Sequence, residues 1–120
     1  MVDYLGIHIL LELHGCPPER LRRPVDSERI LLAAAAAMRA RVVESRFHAF
    51  SPHGVSGVVV IAESHLTVHT WPEHGYAAVD VFSCGQLDLE AGLAILQEGY
   101  AATDAQQRRF GRGRVPTPPQ

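Results

Sequence analysis

The chain opens on an apolar run, with Ile7, Ile9, Leu10, Leu11 and Leu13 between Asp3 and Leu13, and Gly15 and the Pro17-Pro18 pair bring it to an end. A run of that length before a breaker predicts a first strand. Asp26 or Ser27 suits a helix N-cap, and Glu28 to Arg41 is dominated by alanine and leucine, the strongest helix formers. Leu31, Ala34, Ala35 and Met38 fall on one stripe of that helix. From Val42 to Cys84 the chain turns to valine, isoleucine, threonine and aromatics, broken at Ser51-Pro52-His53-Gly54, near Glu63-Ser64, and from Pro72 to Gly75. This predicts four short strands, over about 42–50, 55–62, 65–71 and 76–83. Leu89 to Tyr100 returns to helical composition with Leu93, Leu96 and Tyr100 aligned, although Gly92 and Gly99 weaken it. A short last strand is expected near Gln106 to Arg112, and Pro116 to Gln120 reads as a disordered tail.

The order β-α-β-β-β-β-α-β predicts an α+β two-layer sandwich, a mostly antiparallel sheet with both helices packed on one face. No internal repeat or low-complexity stretch divides the chain, so residues 1–115 read as one domain. The 76–83 strand separates the two faces. Ala77, Val79, Val81 and Ser83 are small and suited to lying under helices, while Tyr76, Ala78, Asp80, Phe82 and Cys84 share the other side. A face that mixes an acid, aromatics and a thiol suits contact with a ligand or another subunit.

Composition narrows the function. Hydrophobic residues at 47% and charged residues at 20% are a globular balance, and a net charge of −2 argues against nucleic acid or an anionic membrane as partner. Arg108, Arg109, Arg112 and Arg114 form a local basic cluster that reads as a solvated end. No apolar run reaches membrane-spanning length and no signal-peptide pattern opens the chain, so the cytoplasm is the expected compartment. Cys16 and Cys84 read as free thiols, too few for a structural zinc site. All 11 basic residues are arginine, which excludes any mechanism that needs a lysine Schiff base from this chain.

The segment Phe47 to Gly85 is dense in reactive side chains: four serines, five histidines, Glu63, Glu73 and Cys84. A metal site is disfavoured, because His65 and His69 on a strand stand ~13 Å apart. A serine or cysteine hydrolase lacks the strand-turn-helix elbow around its nucleophile. Ordinary sheet residues with satisfied hydrogen bonds are the remaining reading for several of them.

The stretch FHAFSPHGVSGVVVIAESHLTVHTWPEHGYAAVDVFSCG, Phe47 to Gly85, closely resembles the prokaryotic S-adenosylmethionine decarboxylase proenzymes. LGIHILLELHGC, Leu5 to Cys16, resembles their first strand and the turn after it. The resemblance implies a chain that cuts itself between Glu63 and Ser64, giving a β chain 1–63 and an α chain 64–120 that begins with a pyruvoyl group made from Ser64. It implies that His69 accepts the proton during processing, Ser56 supports the processing intermediate, and Cys84 donates the proton in decarboxylation. Phe50 and Trp71 become candidates for stacking on adenine and Glu73 for hydrogen bonds to ribose or the amino group, with core or interface packing the competing role for the two aromatics.

The chemistry asks for these residue types. Decarboxylation needs an electron sink, and a ketone-derived Schiff base beside an amide carbonyl supplies one without lysine. Only a serine carries both the nucleophile and the β leaving group from which that carbonyl is made. Histidine suits removal of the Cα proton near neutral pH. Ser64 and His69 are ~16 Å apart along an extended strand, and the resembling family is dimeric. A homodimer with shared sites is therefore expected, with Ser64 and Cys84 from one protomer and Ser56 and His69 from its partner.

Two departures from the family pattern touch the pocket rim rather than the cleavage residues. Gln86-Leu87-Asp88-Leu89 stands where an Asp-Pro-Trp-like start to the second helix is common, and His74 stands where a tyrosine is frequent. Arginine or ornithine is accordingly the alternative substrate on the same scaffold. A non-enzymatic, histidine-rich metal-binding or interaction module is the distant alternative.

Overall fold

The computed structural model describes residues 2–116. Its elements are β1 (Val2–His14), α1 (Pro24–Ala37), β2 (Val42–Ala49), β3 (Val55–Ile61), β4 (Ser64–Trp71), β5 (Tyr76–Ser83), α2 (Leu89–Gly99) and β6 (Asp104–Pro116), with single 3-10 turns at Pro18–Arg20 and Pro72–His74. The strands form one six-stranded sheet in the order β2-β3-β4-β5-β1-β6. Every neighbouring pair is antiparallel. The expected α+β sandwich is the observed one. No described helix is long and apolar enough to cross a membrane.

Alternation along the strands builds the core. Ile9, Leu11 and Leu13 of β1, Leu66 and Val68 of β4, and Ala77, Val79 and Val81 of β5 are all buried in one cluster with the helices. The expected stripe of α1, Leu31, Ala34, Ala35 and Met38, lies in the same cluster, as do Leu93, Leu96 and Tyr100 from α2 and its end. Gly92 and Gly99, which weaken α2 as an isolated helix, are what let it approach α1. A Cβ on Gly92 would sit 2.3 Å from Met38 Cγ, and one on Gly99 would sit 2.7 Å from Ile30 Cγ2.

The boundaries of α1 and of the last strand differ most from expectation, α1 ending at Ala37 rather than Arg41. α1 begins at Pro24, with Arg23 at the N-cap, rather than after Asp26 or Ser27. Proline is preorganised for a first helical position, where its missing N–H loses nothing. Asp26 instead sits in the first turn, where its carboxylate accepts from Arg23 Nε at 2.9 Å and Arg29 Nη2 at 3.3 Å. The Arg23 hydrogen bond, helped by the charges of Arg23 and Arg29, holds the Asp26 carboxyl below the usual range against the opposing effect of burial. Ser27 is buried and accepts from the Tyr100 hydroxyl at 2.7 Å, tying α1 to the end of α2.

The last strand is the larger correction. β6 spans 13 residues, not seven near Gln106 to Arg112, and it includes Pro116, which was expected in the tail. The rest of that tail, 117–120, lies outside the described residues. The four arginines read as a solvated end stand in this strand, with Arg108, Arg109, Arg112 and Arg114 opposite Leu10, Ile9, Gly6 and Tyr4. Nearly every β6 residue is exposed, so no buried period marks it. The main-chain ladder to β1 holds it instead.

Candidate active site

β3 and β4 form a hairpin whose two-residue turn, Ala62-Glu63, joins the register partners Ile61 and Ser64. The turn is pinned to the start of β2 by the Ala62 N–H, which donates to the Arg41 carbonyl at 2.9 Å. Glu63 adopts φ +64°, the left-handed region that disfavours residues with a Cβ. Ser64 is the first residue of β4 rather than part of a break before it. Its Oγ accepts a hydrogen bond from the Cys84 backbone N–H at 3.0 Å. The end of β5 thus meets the start of β4, and Ser64 and Cys84, 20 residues apart in sequence, form one locus.

A second locus lies toward the other end of β3 and β4. Ser56 and His69 are register partners, and Ser56 Oγ is hydrogen-bonded to His69 Nδ1 at 2.7 Å. The hydroxyl can donate to an unprotonated Nδ1 or accept from a protonated one. A cavity of about 210 Å³ surrounds this pair, lined among others by Phe50, His53, Ser56, His69, Trp71 and Glu73. Phe50 and Trp71 are 51% and 40% exposed, so neither is a core residue. Trp71 stacks on Tyr76 with ring centroids 5.2 Å apart. Tyr76 in turn donates to the Glu12 carboxylate, and burial together with that acid pushes its phenol up to about 12.

One chain therefore brings together Phe50, Ser56, His69, Trp71 and Glu73, and separately Ser64 with Cys84. It does not bring the two groups into contact. Ser64 and His69 stand five positions apart on β4, ~16 Å at strand rise, and the odd spacing puts their side chains on opposite faces. A larger hollow of about 400 Å³, along Leu10, Glu12, His14, Gln106 and Arg108, contains neither locus. Among the described residues, no group of three or more His, Cys, Asp and Glu is arranged to hold a metal ion.

Several site features were not legible in the sequence. The Cys84 main-chain donor is one, because an N–H leaves no trace in residue identity. A second is a cluster beside Ser64, where the His65 and Phe82 rings stack at 5.7 Å and His8 approaches both edge-on. Arg112 Nη1 donates to His8 Nδ1 at 3.1 Å. Guanidinium nitrogens only donate, so Nδ1 is the acceptor in this bond, and His8 Nε2 is buried without a hydrogen-bond partner among the described residues. Burial, reinforced by His8, lowers the His65 pKa below its usual value, with Asp80 pulling the other way. Asp80 is a satisfied sheet acid that accepts from Thr67 Oγ1 at 3.1 Å.

The family described as S-adenosylmethionine decarboxylase matches residues 7–113. A chain named S-adenosylmethionine decarboxylase proenzyme from Moorella thermoacetica is 49% identical over 117 residues, covering 97% of this chain and 93% of that one. A proenzyme of the same name from Thermodesulfovibrio yellowstonii is 56% identical over 82 residues, and the matched stretch spans 68% of this chain and 61% of that one. The crystal structure of the adenosylmethionine decarboxylase from Aquifex aeolicus superposes with a TM-score of 0.88 at 32% identity, covering 98% of each chain. With a family match running from β1 into β6 and a solved relative sharing the fold end to end, the chain belongs to the S-adenosylmethionine decarboxylase family.

Proposed function

We propose that the chain is a proenzyme that cuts itself between Glu63 and Ser64, converts Ser64 to a pyruvoyl group, and then removes carbon dioxide from S-adenosylmethionine to give the aminopropyl donor for spermidine. The observation that carries this reading is the 3.0 Å hydrogen bond from the Cys84 N–H to Ser64 Oγ. It holds a nucleophile on the first residue after a tight turn and sets the backbone of Cys84, whose thiol is exposed, against that residue. The names of the relatives supply the substrate class.

Self-cleavage balances on these residues. Ser64 Oγ bonds to the Glu63 carbonyl carbon, and the Glu63–Ser64 C–N bond breaks, with the hydroxyl proton passing to the freed amine. The peptide has become an ester. A base then takes the Ser64 Cα proton, the Glu63 carboxylate leaves from Cβ, and dehydroalanine forms. Its imine tautomer takes up water and releases ammonia, leaving residues 1–63 as the β chain and a pyruvoyl-capped α chain 64–120. In this reading His69 is the base and Ser56 orients it through the 2.7 Å bond.

The residues present fit the group. Ser64 stands at the exact end of a strand laddered on both sides, so the new terminus stays in place after the turn opens. When formed, the pyruvoyl group supplies the carbonyl electron sink that decarboxylation needs. Cys84 holds a proton beside it for return to carbon. Phe50 and Trp71 offer exposed aromatic faces to an adenine, and Glu73 offers an acceptor at the same cavity. Because the two loci do not meet within one chain, the reading requires a homodimer in which the Ser56–His69 locus of one protomer serves Ser64 of its partner. The cytoplasm, where an exposed thiol stays reduced, remains its compartment.

Intact mass of the purified chain, followed by carbon dioxide release from S-adenosylmethionine, arginine and ornithine in parallel, tests the function. Two fragments meeting at residues 63 and 64 and release from S-adenosylmethionine alone are expected. A single uncleaved mass sinks the enzyme reading, and release from arginine or ornithine alone moves the substrate while keeping the cofactor. Co-refolding Ser64→Ala with His69→Ala chains tests the shared site: the His69→Ala chain should be cleaved in the mixture and not by itself.

A further inference from the structure

Glu63 is exposed, and its side chain makes no hydrogen bond or ion pair among the described residues, yet its backbone sits at φ +64°. Nothing in its side chain repays that conformation. Closure of the hairpin imposes it. Ala62 is tied to Arg41 on one side, and Ser64 is held by the β4 ladder and the Cys84 N–H on the other. Two residues must bridge that gap, and one of them has to turn left-handed. Glycine takes this conformation freely, whereas an L residue with a Cβ is penalised.

We infer that the left-handed backbone of Glu63 is a strain device for self-cleavage, making Glu63 a positioning residue rather than a chemical participant. The inference rests on the self-cleaving reading above. In the uncut chain the link from the Glu63 carbonyl carbon to Ser64 Cα runs through one atom, the amide nitrogen. In the ester it runs through two, Oγ and Cβ. The added atom lengthens the closed turn and lets Glu63 relax toward negative φ as the C–N bond breaks. Strain present in the amide and released on the way to the ester lowers the barrier.

The test compares residues at 63 by their backbone preference. Glu63→Gly removes the penalty from the uncut state and slows cleavage by about 5- to 30-fold, if the whole left-handed penalty is released. Glu63→Ala removes the carboxylate but keeps the Cβ, so it cleaves at least about fivefold faster than Glu63→Gly. Glu63→Asn, which tolerates left-handed backbone, falls between the two. Rates are read as the fraction cut against time, by intact mass after synthesis or refolding of the full chain.

The same substitutions in the uncleavable Ser64→Ala chain give a readout independent of cleavage: the glycine variant unfolds at a midpoint no lower than the alanine variant. Glycine cleaving as fast as the parent, alanine slowed as far as glycine, or a lower midpoint for glycine each overturns the inference. If the parent chain never cuts, self-cleavage itself falls. If the parent cuts and glycine cuts equally fast, only the strain device falls.

Discussion

Thr70 follows His69 on β4 and bonds the residue before Ser56, and replacing it by valine measures what this buried polar anchor contributes to stability. Its side chain is buried, 4% exposed, between the strands and the Pro18–Arg20 turn. Thr70 Oγ1 accepts from the Val55 N–H at 2.9 Å and donates to the Leu21 carbonyl at 2.8 Å. Thr70→Val preserves the shape and deletes both bonds, leaving a buried donor and a buried acceptor without partners. Each orphaned group costs about 1–3 kcal/mol, and the added apolar methyl recovers part of that. The net loss is about 2–4 kcal/mol, or a fall in Tm on the order of 10 °C for a chain of this size. The assay is urea and thermal unfolding in the Ser64→Ala background, where one covalent chain unfolds, at fixed protein concentration because assembly shifts the midpoint. Thr70→Ser keeps both bonds, gives up one methyl and loses about 1 kcal/mol. A valine variant within about 0.5 kcal/mol of its parent, or a serine variant worse than the valine one, refutes the reasoning.

Gly99→Ala raises intrinsic helix propensity by about 1 kcal/mol, yet its Cβ would land 2.7 Å from Ile30 Cγ2 and 3.1 Å from Cγ1. Ile30 is β-branched and buried, so overpacking wins and chemical denaturation shows a net loss of about 1–2 kcal/mol; stabilisation would count against the packing argument. Burial pushes the Cys16 thiol up to about 11, while Cys84 is exposed. Iodoacetamide at pH 8 should label Cys84 in the folded chain and Cys16 only after unfolding, and equal labelling of the two would be a failure.

The His65 imidazole should titrate below its ordinary value of 6.5 by NMR, and rise in His8→Gln, since burial and the neighbouring His8 lower it. With the folded-state pKa depressed, the folded chain binds fewer protons than the unfolded one. His65's contribution to stability is therefore full above pH 6.5 and is lost as pH falls toward the lowered value. A midpoint at or above 6.5 contradicts that picture.

Most of the fold was legible because burial is periodic. The runs in β1, β3, β4 and β5 alternate with their pleat, and the α1 stripe repeats at helical spacing, so element order, sheet layer and helix face follow from local pattern. The reactive residues were legible too, as types: a serine after glutamate, a histidine five positions on, a thiol at the end of the 76–83 strand. What local pattern cannot carry is register and distance. Only the middle of β6 is legible, because an exposed edge strand buries no alternate residues that would mark its ends. Its arginines acquire meaning only when the ladder sets Arg112 opposite Gly6, close enough to bond His8. That Ser64 meets Cys84 and Ser56 meets His69 likewise comes from strand order, set by main-chain ladders that are indifferent to side-chain identity. The left-handed turn at Glu63 is the clearest case, since glutamate has no preference for it. Only the closed hairpin, held at both ends, puts that residue there.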